Sequence, residues 1–147
     1  MITHNSIGYS GRLGNQMFQY AALKAVSLET GIPCFLPNNV KIKLDGAFDF
    51  TNNRWIGYKL DIVDCFNITS PLIDNQPSEF IYQEKEFTFN PEVFNIQDNT
   101  AIEGYFQSHK YFEKHKDVIL NEFTFKEHIL NKCSEAVSKF KKKSKIS

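Results

Sequence analysis

The chain has 147 residues and a mass of 17.0 kDa. A single domain of that size buries about 68–70% of its unfolded surface. Hydrophobic residues make up 41% and charged residues 23%, a composition that excludes a disordered chain and a fibrous repeat. Seventeen basic side chains balance seventeen acidic ones, so bulk charge does not favour binding to nucleic acid or to anionic lipid.

The cysteine residues and the hydropathy of the sequence indicate the cellular compartment of the protein. Cys34, Cys65 and Cys133 are odd in number and widely spaced, which fits neither a disulfide framework nor a metal knuckle. The first residues contain no basic segment followed by an apolar one, and no apolar run is long enough to span a bilayer. We therefore expect a cytoplasmic protein without a transmembrane segment, and we leave peripheral association with the inner face of the membrane open.

The first 40 residues predict a βαβ opening. Ile7-Gly8-Tyr9 is expected to end a short strand, and the glycines of the following turn precede a helical period. The predicted buried face of that helix carries Phe18, Ala21, Ala22, Ala25 and Leu28.

Polar residues mark the other side and the end of the same helix. Gln16 and Gln19 are expected to face solvent. Gly31 is placed to end the helix in a left-handed conformation, and Pro33 then forces an extended exit into Cys34-Phe35-Leu36.

The rest of the chain continues the α/β pattern. Residues 38–78 are rich in turn formers and predict no definite element. Strands are expected at 79–83 and 100–107, and Ser108 is expected to cap a helix over about 109–120. A last helix over 126–143 ends in lysines, which we interpret as a solvated helix end in preference to a nucleic-acid patch. A further parallel strand would normally follow it, so the chain is expected to be incomplete.

The most specific stretch lies at the first turn, from Gly8 to Ala21. Glycines between a strand and a helix let the backbone approach a ligand, and the helix N-terminus offers N–H groups to a phosphate or a sugar hydroxyl. The glycines do not follow the G-x-G-x-x-G spacing, and no acidic residue ends the second strand. Both observations argue against a nicotinamide or flavin site.

Two side chains of this turn are candidates for ligand contact. Arg12 is one of only two arginines, and its planar fork could bind a phosphate or carboxylate; the alternative is that it bonds carbonyls of its own loop. Asn15 could contact the ligand or simply cap the helix through its side-chain oxygen.

Other candidates are weaker on spacing alone. His109 and His115 lack companion metal ligands and are interpreted as surface or packing residues. The carboxylate pairs could act as acid and base in glycoside hydrolysis, and the aromatic residues near position 105 could stack on a sugar, but we interpret the acids as solvated and most of the aromatic residues as core. This set comprises Asp61, Asp64, Glu84, Glu86, Tyr105, Phe106, Tyr111 and Phe112.

Three segments carry a family resemblance. Gly11-Arg12-Leu13-Gly14-Asn15-Gln16-Met17-Phe18-Gln19-Tyr20-Ala21 resembles the N-terminal signature of the alpha-1,2-fucosyltransferases, glycosyltransferase family 11. Gly104-Tyr105-Phe106-Gln107-Ser108-His109-Lys110-Tyr111-Phe112 is similar to a second family segment. Leu60-Asp61-Ile62, followed by Cys65-Phe66-Asn67-Ile68, is a weaker third match. The matches are collinear and span residues 7 to about 125.

The resemblance implies a function and a set of site residues. Members of the family transfer L-fucose from GDP-fucose to a galactose 2-hydroxyl of a glycan, with inversion and no required metal or other cofactor. The implied fold is a GT-B type glycosyltransferase, with residues 1–147 as its Rossmann-like, acceptor-side N-terminal half. By similarity, Gly11, Arg12, Gly14, Asn15 and Gln16 would line the cleft between the halves and bind substrate.

One family feature is missing from the sequence. The donor-binding segment His-x-Arg-Arg-x-Asp does not occur, and Arg54 stands apart from Arg12. We therefore expect the chain to stop before a donor-binding half, to hold no catalytic residue of its own and to transfer little or no fucose alone. A separately encoded C-terminal half is one expected partner. The alternative function is a non-catalytic glycan-binding or partner-binding module derived from such an enzyme.

Overall fold

The computed structural model describes residues 1–8, 11–38, 60–74 and 77–143, with side chains to residue 141, and the backbone alone of 42–49 and 54–58. The strands are β1 Thr3–His4, β2 Leu36–Pro37, β3 Ile42–Asp49, β4 Arg54–Tyr58, β5 Leu72–Ile73, β6 Phe80–Gln83 and β7 Thr100–Glu103. The helices are α1 Leu13–Thr30, α2 Asp61–Cys65, α3 Lys116–Glu122 and α4 Glu127–Lys143. Three short 3-10 turns cover Pro91–Asn95, His109–Tyr111 and Glu113–His115.

A parallel sheet organises the domain, which is α/β as the sequence predicts. β7 lies between β1 and β6 and is parallel to both. On the other side of β1, a parallel bridge joins Ile2 to Cys34, and β2 then pairs in parallel with β5. The strands therefore follow the order β6-β7-β1-β2-β5, and the predicted βαβ opening is confirmed.

An antiparallel hairpin interrupts the parallel order. β3 and β4 pair in the register Phe48 to Trp55 and Asp49 to Arg54, with an irregularity between Ile42 and Ala47. This hairpin lies in the stretch over which the sequence predicts no definite element. Because its strands pair only with each other among the described residues, the hairpin is an addition to the parallel sheet.

Helix α1 lies at the centre of the core. Its buried residues are not confined to one face, as they would be in an amphipathic surface helix. Its buried side chains include Tyr20, Leu23 and Val26, and it packs against α2, α3 and the strand β1. The prediction for its faces is partly wrong: Phe18 and Leu28 are exposed, whereas Gln16 and Gln19 are only 1% and 0% exposed. Gly31 ends the helix with φ of +72°, as predicted.

Three predicted boundaries are wrong. β1 ends at His4 rather than near Tyr9, and residues 5–8 form a turn. β7 ends at Glu103 because Gly104, with φ of +151°, and Phe106, with φ of +50°, leave the extended conformation. Two 3-10 turns replace the first half of the helix predicted after Ser108, whose side chain makes no capping hydrogen bond, and α3 forms the second half.

A buried polar network ties α1 to α3 and to the loop after α2. The carboxylate of Glu122, 3% exposed, accepts hydrogen bonds from the Tyr20 hydroxyl, from the Thr69 hydroxyl at 2.5 Å and from the Thr69 N–H at 3.3 Å. Lys24 Nζ lies 2.7 Å from Glu122 Oε1, and Tyr20 also bonds Ser70 at 2.9 Å. Every oxygen of this buried carboxylate therefore has a donor, as burial of a charge requires.

Helix α4 begins within one residue of its predicted start. Its first residues are fixed by the Lys126 N–H, which donates to the Cys65 carbonyl at 2.9 Å, and by the bridge of Phe125 with Phe66. Leu130, Val137 and Phe140 then lie exposed along the helix, with Phe140 75% exposed. None of the described helices is both long and apolar enough to cross a membrane.

Candidate active-site crevice

The strand order creates a crevice at one edge of the parallel sheet. From β1 the chain moves outward through β2 to β5, and it then returns to the opposite side for β6 and β7. The loops after β1 and β7 leave adjacent parallel strands at the same edge, and the 3-10 turns and α3 that follow β7 pack on α1. Open α/β sheets bind ligands outside the carboxyl ends of their strands. We define residues 5–8, 11, 12 and 104–108 with the first turn of α1 as the carboxyl-edge crevice.

The glycine turn after β1 has the geometry that the sequence predicts at one of its glycines. Gly11 has φ of +96°, and a Cβ there would lie 2.0 Å from Asn15 Nδ2, so only glycine fits. Gly14 lies within α1 and has open space around it. The backbone thus requires glycine at position 11, whereas at position 14 the space is free for a ligand.

Arg12 and Asn15 take different positions at the start of α1. Arg12 is exposed and is the N-cap residue of α1, with an extended backbone. The interpretation of Asn15 as a helix cap is wrong, because no side chain caps this helix. Instead, Asn15 Oδ1 accepts a hydrogen bond of 2.8 Å from Gln107 Nε2 in the loop after β7. Arg12 therefore stands where an anion could meet the free N–H groups of the first turn.

Two buried glutamines connect α1 to the other segments of the resemblance. Gln16 Oε1 accepts a hydrogen bond of 3.3 Å from the Ile62 N–H at the start of α2. Gln19 Nε2 donates to the Gly104 carbonyl at 3.1 Å. With the bond between Asn15 and Gln107, three side chains of one helix bring together three segments that are far apart in the chain.

The loop after β7 is fixed by a carboxylate. Glu84 Oε2 accepts hydrogen bonds from the N–H groups of Tyr105 and Phe106, at 2.7 and 3.0 Å. A Cβ at Gly104 would lie 2.4 Å from the Glu84 Cβ, so the backbone can approach this side chain only at a glycine. The interpretation of Glu84 as a solvated carboxylate is therefore wrong, because it determines the shape of this loop.

His4 lies beneath the crevice, at the carboxyl end of β1. Its side chain is fully buried, and its ring meets Phe106 edge to face with centroids 5.7 Å apart. Ser6 Oγ lies 3.4 Å from His4 Nδ1. Burial lowers the pKa of His4 to about 3. His4 is therefore neutral in the folded protein at neutral pH, as its position in the core requires.

An open cleft of about 360 Å³ adjoins the crevice at the carboxyl ends of β6 and β7. Its lining includes Ser6, Glu84, Glu86, Phe87, Glu103 and Tyr105. Phe87 is 77% exposed, and its ring lies 6.1 Å from that of Tyr105 with 32° between their planes.

The remaining candidates lie elsewhere. His115 Nε2 is 2.9 Å from Glu29 Oε1 on the surface, and Tyr111 and Phe106 are core residues as predicted. Asp61 and Asp64 lie in the first turn of α2. In the part of the chain that the structure describes, no three His, Cys, Asp or Glu side chains are grouped so that they could hold a metal ion.

Gln107 and His4 belong to this region, although neither is predicted from the sequence as a site residue. Gln107 lies inside the second matched segment, whereas His4 gives no sequence signal beyond its place just before the glycine turn. Comparison of the chain with family models, with curated proteins and with solved structures gives no match.

Proposed function

We propose that this chain is the acceptor-side, Rossmann-like half of a GT-B type alpha-1,2-fucosyltransferase. In that role it would act on GDP-fucose and a galactose-containing glycan in the cytoplasm. One observation carries the proposal. Hydrogen bonds made by Asn15, Gln16 and Gln19 of α1 join the three segments that resemble the family, and the bond of Asn15 with Gln107 lies at the carboxyl-edge crevice.

The chemistry of the crevice is consistent with a sugar nucleotide. A donor of this kind carries a negatively charged diphosphate, which a helix N-terminus and a planar guanidinium both favour. Arg12 is exposed beside the first turn of α1, on the side where such an anion would approach the helix N-terminus. Asn15 is held in place by Gln107, so its amide group is already oriented before substrate binds.

If the acceptor-side and donor-binding residues lie on two separate halves, this chain alone is expected to transfer little fucose. The leaving GDP needs positive charge, and the sequence contains no arginine pair to supply it. We therefore propose that a second half, with the His-x-Arg-Arg-x-Asp segment, completes the site.

The test combines this chain with the donor-binding half of a family 11 enzyme. The two are mixed with GDP-fucose and lactose, and fucosylated lactose is measured by mass spectrometry. Product should form with the unmodified chain and be lost with Arg12→Ala, while Lys110→Ala, an exposed control, should keep it. Lactose binding without product in any mixture would favour the alternative, a glycan-binding module. Absence of both would exclude the two functions together.

A further inference from the structure

We propose that the cleft between Phe87 and Glu103 binds a neutral sugar ring of the glycan acceptor. The inference rests on the proposed function for the identity of that glycan, but the cleft itself is defined by its own shape and chemistry. A volume of about 360 Å³ lies near the lower end of the ~300–1,000 Å³ range of small-molecule sites.

Two aromatic rings give the cleft its apolar surface. Phe87 and Tyr105 both line the cleft, with ring centroids 6.1 Å apart and 32° between the ring planes, so both contribute apolar surface to it. Phe87 is 77% exposed, so most of its ring surface is accessible to a ligand in the cleft. The C–H face of a pyranose ring matches a flat apolar surface of this kind, while its hydroxyls remain free to bond elsewhere.

Residues with oxygen acceptors line the cleft beside these rings. They include Glu86, Glu103 and Ser6. Glu103 Oε1 already accepts a hydrogen bond of 3.2 Å from Asn5 Nδ2, which orients this carboxylate. Ionised carboxylates accept hydrogen bonds only, so they pair with the hydroxyl donors of a sugar.

The charge of the cleft decides which substrate it can take. Three carboxylates, those of Glu84, Glu86 and Glu103, face one ammonium group, that of Lys85, so the lining has a formal charge of −2. A diphosphate would be repelled here and attracted to Arg12 instead. The cleft therefore suits the neutral acceptor and not the sugar-nucleotide donor.

The wall of the cleft is rigid before any ligand binds. Glu84 holds the N–H groups of Tyr105 and Phe106, and Gly104 closes tightly on Glu84. The same loop reaches Asn15 through Gln107, at the other side of its backbone. One short loop thus borders both the acceptor cleft and the donor side of the crevice, as a transfer between two substrates requires.

The experiment measures binding by the chain alone, without GDP-fucose. Lactose, inorganic pyrophosphate and spermidine are titrated in turn, followed by saturation-transfer NMR and by chemical shifts of labelled protein. Lactose should bind, and Phe87→Ala should weaken it by about tenfold, the loss expected when about 1.4 kcal/mol of ring contact is removed. Phe87→Tyr should retain binding. Phe140→Ala, an equally exposed phenylalanine on α4, should leave it unchanged.

Two results would overturn the inference. Lactose binding that is unchanged in Phe87→Ala would place the sugar elsewhere, and binding of spermidine in place of lactose would assign the cleft to a cationic ligand. The outcomes separate this inference from the proposed function. Lactose binding that depends on Phe87, with no product in the mixing assay, would support the cleft assignment and refute the transferase. Product formation that is unchanged in Phe87→Ala would support the transferase and refute the cleft assignment.

Discussion

Removal of Lys24 should destabilise the fold strongly, because it leaves the buried carboxylate of Glu122 without its cation. The Nζ to Oε1 distance is 2.7 Å, and the two side chains are 16% and 4% exposed. At an effective dielectric of about 20 the gross attraction is about 6 kcal/mol, most of which offsets desolvation. Breaking one partner of a buried pair costs about 3–5 kcal/mol. Tyr20 and Thr69 still donate to Glu122, so Lys24→Met should lie near the lower end.

The measurement is urea unfolding followed by circular dichroism at neutral pH. A loss of about 3 kcal/mol corresponds to a drop of roughly 10 °C in Tm for a chain of this size. Lys114→Met is the matched control: Lys114 pairs with Glu29 at 3.3 Å but is 79% exposed, so its removal should cost less than about 0.5 kcal/mol.

The double variant Lys24→Met/Glu122→Gln tests the reason for the effect. The amide carries no charge and can still accept from Tyr20 and Thr69, so the double variant should be more stable than Lys24→Met alone. If Lys24→Met unfolds at the same urea concentration as the control, or if the double variant is the less stable of the two, the buried-charge reasoning is refuted.

Three further predictions follow from the pKa values and the glycines. Because burial lowers the pKa of His4 to about 3, this side chain takes up a proton below pH 6.5 in the unfolded chain but not in the folded one. The free energy of unfolding should therefore fall by up to about 1.4 kcal/mol per pH unit between pH 6.5 and 3, and His4→Gln should make Tm depend less on pH in that range. For Glu122, burial raises the pKa, but the hydrogen bonds from Lys24, Thr69 and Tyr20 outweigh burial, so the net pKa lies below the ordinary value of 4.5. The stability that the ionised carboxylate contributes should therefore be lost as the pH falls below 4.5, and acid unfolding of Glu122→Gln should lack this loss. Gly104→Ala should cost more than about 1 kcal/mol through its positive φ and its contact with Glu84, whereas Gly14→Ala should stabilise α1 by up to about 1 kcal/mol in thermal melts.

The sequence predicts the parts of the fold that depend on local signals. The βαβ opening, the end of α1 at Gly31 and the extent of α4 all follow from periodicity and from residues with special backbone preferences. The strand β6 follows in the same way, because its residues have the aromatic and β-branched character that strands favour.

The errors occur where distant contacts override local preference. Gln16 and Gln19 are polar, so the helical period places them in water. Their amides are buried because the Ile62 N–H and the Gly104 carbonyl supply partners from other elements. Asn15 is likewise directed by Gln107 and not by its own helix. Pairings across 46 to 92 residues leave no trace in the spacing of a single chain, so the resemblance supplied the candidate site residues but not their contacts.

The position of α4 gives the domain two levels of stability. Helices of this length are marginal in water without packing, and beyond its first turn this one exposes Leu130, Val137 and Phe140. Its amide hydrogens should therefore exchange with solvent through local opening, at a free energy far below that of global unfolding. The amides of α1, enclosed on several sides, should exchange only when the whole domain opens. The fold is thus one cooperative body with a helix that melts independently of it.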